Sequence, residues 1–92
     1  MPERYAAASG VAWSVERRGV LVFGADGRGG RMLSYPQAAV WDLVVRGNTM
    51  DKVSEQLSAI AAVSEEAAKQ IARVAVAQWR EQGLLVEGGA RG

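Results

Sequence analysis

Histidine and cysteine are both absent from this 92-residue chain. Their absence excludes the usual zinc and copper sites, iron–sulfur clusters, disulfides, cysteine nucleophiles and any Ser–His triad. Carboxylates, Lys, Arg, Tyr and hydroxyls remain, a poor kit for a self-contained enzyme of this size. The reading is therefore a non-enzyme, with no catalytic residue, cofactor or metal ligand assigned. An excess of charge of either sign is lacking too. Eleven basic residues oppose ten acidic ones for a formal net charge of +1, so composition gives no strong pull toward nucleic acid, anionic membrane or acidic partners. No apolar run approaches the roughly 20 residues of a membrane span. Residues 1–10 lack the basic start and apolar stretch of a secretory signal, which makes the cytoplasm the default expectation.

What is present is enough for one domain with a core. Hydrophobic residues make up 49% of the chain, and the length suits a single domain that needs no staples, though not by a wide margin. Residues 1–11 are small and weakly patterned and read as a flexible N-terminal tail, residues 12–86 as the globular domain, and residues 87–92 as a second flexible tail.

Two strand-like runs open the domain. Trp13 to Arg17 alternates apolar and polar, the period-2 signature of a half-buried strand. After a turn at Arg18 and Gly19, Val20 to Phe23 is continuously apolar and reads as a central strand. Asp26 to Gly30 is a turn or loop signal, and Arg31 to Leu33 a short third strand. Three helices follow. Ser34 with Gln37 has the capping-box spacing for a helix from about Tyr35 to Arg46, closed by Gly47. Thr49 caps a second helix, with Met50, Val53, Leu57 and Ile60 on one apolar face. Ser64 caps a third, running to about Gln82, with Ala68, Ile71, Ala72, Ala75 and Trp79 as its stripe. Leu84 to Val86 then returns to the core as an extended segment. The expected fold is α+β: a three-stranded antiparallel meander followed by three helices, winged-helix-like.

Few motifs invite chemistry. Glu65 and Glu66 point about 100° apart on a helix and suit its N-terminus as solvated charges, pairing locally with Lys69. The glycine-rich Gly27 to Arg31 precedes a strand rather than a helix, so it reads as a hairpin loop and not a phosphate cradle. Trp13, Trp41 and Trp79 each fall on an apolar face and read as core, with Trp13 nearest an edge. Lys69, Arg73 and Arg80 form a basic stripe on the third helix. That stripe supports a rival reading, a small winged-helix nucleic-acid binder. Against it, residues 47–92 carry five bases and six acids, a formal −1, and groove binding rests on phosphate neutralisation.

The remaining feature is a bare strand edge. With strand two central, strand three exposes unpaired N–H and C=O groups that template another chain. Beside helix three, that edge would form a groove into which an extended peptide adds as a further strand. Backbone hydrogen bonds contribute only about 1 kcal/mol each net, so apolar contacts from Ile71, Val74 and Ala75 must supply the rest. A plain, functionless edge and a homodimer pairing through the same edge are the competing readings.

The segment from Met32 to Val44 resembles the strand-to-helix segment of PqqD-like proteins. Shared features are Leu33, Ala38 and the Val40–Trp41 pair, with Gly47, Asn48 and Thr49, the Val53–Leu57 helix and Trp79 followed by Gly83, Leu84 and Leu85 further along. The match covers roughly residues 12–86. Ser34 stands where the family often has Asn. The resemblance implies a recognition element for the leader segment of a ribosomally made precursor peptide. Such an element binds the leader as a strand beside strand three, against helix three. It presents the leader to a modifying enzyme such as a radical SAM protein or a lasso-type leader peptidase. Carried onto this chain, the peptide-binding positions are Arg31, Met32, Leu33 and Ser34 on the strand side, and Ile71, Val74, Ala75 and Gln78 on the helix side.

Overall fold

The computed structural model describes residues 3–27 and 30–88. Its elements are β1 (Tyr5–Ala7), β2 (Ala12–Glu16), β3 (Gly19–Phe23), β4 (Gly30–Leu33), α1 (Gln37–Val45), α2 (Met50–Ala61), α3 (Glu65–Glu81) and β5 (Leu85–Glu87). The fold is α+β. An antiparallel sheet in the order β2-β3-β4 precedes three helices, as expected, with the expected third strand appearing as β4.

The N-terminal segment departs from expectation. Residues 1–11 read as a tail, yet Tyr5–Ala7 is a strand pairing antiparallel with β5, in a register from Tyr5 opposite Glu87 to Ala7 opposite Leu85. The Met50 N–H donates to the Glu3 carbonyl, that of Gly88 to Arg4, and the Ala8 N–H to Leu84. The physical reason is burial: Tyr5 is only 6% exposed, and a phenol ring in the core fixes the backbone that carries it. The second tail also begins late, since Glu87 closes β5. Residues 89–92 lie outside the described residues.

Within the main sheet, side chains alternate faces. Val20, Val22 and Leu33 turn inward and are buried, and the register places Trp13, Val15 and Arg31 on the same face. The β3–β4 approach is tight at one point. A Cβ on Gly19 would stand 1.9 Å from the Leu33 carbonyl oxygen, so only glycine fits beside the end of β4.

The helices begin and end for local reasons. Thr49 and Ser64 cap α2 and α3, their hydroxyls accepting from the N–H groups of Lys52 and Ala67. The cap expected at Ser34 is not made. Pro36 occupies the N-cap of α1 with no side-chain hydrogen bond. Instead the Ser34 and Pro36 main-chain carbonyls accept from Ala38, Ala39 and Val40. Ser34 lies two residues before the N-cap Pro36, outside the position that a capping box requires. Ile60, assigned to the apolar face of α2, is 53% exposed; it stands at the margin of that face, and in the same turn Ala61 packs against the core instead.

Trp41 stands at the centre of the core, with no exposed surface. Trp13 from the sheet meets it edge-on at 5.7 Å, and Trp79 from α3 meets it edge-on at 5.2 Å. One aromatic chain thus ties β2, α1 and α3 together in the geometry that ring quadrupoles favour. Trp41 and Trp79 are core, as read; Trp13 is 39% exposed, which fits its edge position.

Candidate functional site

β4 ends the sheet. It pairs with β3 from Val20 opposite Leu33 to Phe23 opposite Gly30, and among the described residues no strand lies on its other side. In an antiparallel ladder alternate residues of such a strand point their backbone N–H and C=O outward. Two of the four β4 residues therefore offer pairing groups to a further strand. Arg31, Met32 and Ser34 are exposed, whereas the Leu33 side chain is buried. The Leu33 side chain thus belongs to the core, and its carbonyl oxygen faces Gly19 of β3. Arg28 and Gly29 of the preceding loop lie outside the described residues.

The helical period, about 100° per residue, divides α3 into three strips. Ala68, Ala72, Ala75, Val76 and Trp79 are buried. One flank carries Ile71, Val74 and Gln78. Ile71 is partly buried against the core, Val74 is 57% exposed and Gln78 is exposed. Ala75, assigned to the same wall, belongs to the core instead, at 4% exposure, so it can form only the floor of a groove. The other flank carries Lys69, Arg73 and Arg80.

β4 packs chiefly on β3, while α3 packs chiefly on α2, α1 and β5. The link between the two proposed walls is Tyr35. Its hydroxyl donates to the Ile60 carbonyl at 3.0 Å, fixing the chain just after β4 to the last turn of α2, four residues before the cap of α3. The contact joins two exposed residues, Tyr35 at 55% and Ile60 at 53%. Sequence reasoning had no signal for it beyond a tyrosine in a short linker.

The basic stripe is divided by its surroundings. Lys69 lines an open cleft of about 460 Å³ with Asp51, Glu55, Glu65 and Glu66. Two residues of that cleft, Lys52 and Glu55, pair with each other at 3.4 Å. The pairs expected between Lys69 and Glu65 or Glu66 are not formed; among the described residues the ion pairs are Lys52–Glu55 and Arg46–Asp42. The carboxylates there do not form a group able to hold a metal ion. Arg73 and Arg80 line a different cleft of about 210 Å³, with Glu3, Tyr5, Met50, Val76 and Ala77. That cleft was invisible in the sequence because β1 builds one of its walls.

Among the described residues no helix is long and apolar enough to cross a membrane. No family model matches the chain, and no curated protein or solved structure is significantly similar to it.

Proposed function

We propose that the chain is a peptide-recognition domain of the PqqD-like kind. An extended leader segment would add to β4 as a further strand, and the domain would then present the precursor to a modifying enzyme in the cytoplasm. The observation that carries this reading is the unpaired edge of β4, bearing exposed Met32 at 48%. A strand added there alternates its side chains. Those on the outer face meet Met32 and its cross-strand neighbour Leu21; in this proposal those on the inner face would turn toward Ile71, Val74 and Gln78. Backbone pairing alone does not overcome association costs, so these apolar contacts supply affinity and choice of sequence. The domain brings no catalytic group; the chemistry belongs to the partner enzyme.

The nucleic-acid reading loses support from the surroundings of Lys69. A phosphate track along α3 would pass Asp51, Glu55, Glu65 and Glu66, which repel it. The test is titration of the domain with the leader half of a short precursor encoded beside its gene, followed by isothermal calorimetry. Saturable binding that Met32→Lys and Val74→Glu weaken supports the proposal. Binding to random duplex DNA at about 50 mM salt, with no response to the leader, replaces it with the rival.

A further inference from the structure

Arg80 is held in an unusual way for an exposed arginine. Its guanidinium carbon lies 5.2 Å from the centre of the Tyr5 ring, and that ring is buried. The Tyr5 hydroxyl in turn donates to Glu3 Oε2 at 3.1 Å. Arg73 lies seven residues earlier, two helical turns along the same flank, which is about 10 Å. Among the described residues neither arginine has an ion-pair or hydrogen-bond acceptor. Arg80 therefore has a pinned position and unused N–H donors, the condition under which a planar guanidinium recognises a carboxylate with least ordering cost.

Apolar groups share the cleft with Glu3: half-buried Met50, exposed Ala77 and buried Val76 line it. Arg80 and Ala77 also line the adjoining depression with Leu85 and Val86, and Val86 is 48% exposed. The surface thus presents two cationic groups, two turns apart, with apolar side chains beside them. We propose that this cleft between β1 and α3 docks an acidic, amphipathic helical segment of a partner protein, with one carboxylate at Arg73 and another at Arg80.

A polyanion fits less well. Glu3 sits inside the cleft, and Glu81 and Glu87 stand on the adjoining rim. A run of phosphates would bring many charges against all three, whereas a segment with two carboxylates brings only two, each matched by an arginine. The site lies on the flank of α3 opposite Ile71, Val74 and Gln78, so it does not rest on the β4 reading, and both can be filled together.

The probe is a fluorescein-labelled helix-forming peptide carrying two glutamates two turns apart with leucines on the same face, read by fluorescence anisotropy against the full chain. The expected result is saturable binding that weakens roughly tenfold or more when both glutamates become glutamine, or in Arg73→Gln or Arg80→Gln. Arg80→Gln also removes a contact to Tyr5, so Arg73→Gln serves as the variant that leaves that packing intact. The double variant Arg73→Glu/Arg80→Glu should prefer the peptide with lysine in place of glutamate. Equal binding of the glutamine peptide, absence of binding, or displacement of the peptide by random duplex DNA would each overturn the proposal.

Discussion

The Tyr35 hydroxyl donates to the carbonyl of Ile60 at 3.0 Å. This single bond connects the exit of β4 with the end of α2, between exposed residues distant in sequence. It fixes where one wall of the proposed groove stands relative to the turn that starts the other. Tyr35→Phe removes the bond and little else. Because both residues are exposed, stability should fall by less than about 1 kcal/mol in urea melts. Leader binding, measured on the same variant, should weaken more than that stability loss implies. Unchanged binding would mean that the position of β4 does not depend on this contact.

Tyr5→Ala tests whether the N-terminal segment belongs to the fold. Large-to-small core substitutions of aromatic residues cost about 3–5 kcal/mol, and Tyr5 sits in the core with one face under Arg80. A loss near the lower end of that range is expected in denaturant unfolding. A free tail would give none.

The pKa of Tyr5 is raised above the ordinary value of 10.0, first by burial and then by its hydrogen bond to Glu3, whose charge opposes a phenolate. The folded chain therefore keeps this proton more tightly than the unfolded chain. Its contribution to stability is fully present below about pH 10 and declines as the pH rises through the folded value. Unfolding free energies of the wild type and Tyr5→Phe should run parallel below pH 10 and converge or cross above it. Curves that stay parallel to higher pH would show that the hydroxyl is as free in the folded chain as in the unfolded one.

Gly19→Ala should be among the most damaging small substitutions. The added methyl meets the Leu33 carbonyl oxygen at 1.9 Å and the Ser34 Cα at 3.3 Å, both backbone atoms that cannot rotate away. A cost of about 2 kcal/mol or more is expected, with the backbone amide signals of residues 33 and 34 displaced in NMR spectra. Gly47→Ala is a useful contrast. Its positive φ carries a cost, but nothing stands within 4 Å of the added methyl, so its effect should be about 1 kcal/mol.

Much of this architecture is legible in the sequence because much of it is local. Thr49 and Ser64 cap their helices with groups three residues away, and β2, β3 and β4 follow one another through short connections. β1 is not legible: Tyr-Ala-Ala has little strand pattern, and its partner β5 lies at the other end of the chain. The same non-local pairing conceals the Arg73–Arg80 cleft, since Tyr5 and Glu3 form one side of it. The strand wall of the proposed groove was legible from Arg31 to Ser34. The helix wall was partly so. Ile71, Val74 and Gln78 lie on one flank, whereas Ala75 turns inward, a distinction of less than half a helical turn that a run of alanines cannot specify.

The central claim is that β4 accepts a peptide strand, and backbone amide NMR during titration with the leader half of the neighbouring precursor tests it most directly. The account predicts that the amides of residues 31–34 shift and become protected from exchange, with accompanying shifts at Ile71, Val74 and Gln78. Shifts confined to β2 or to the cleft between β1 and α3, with residues 31–34 unmoved at saturation, would contradict it.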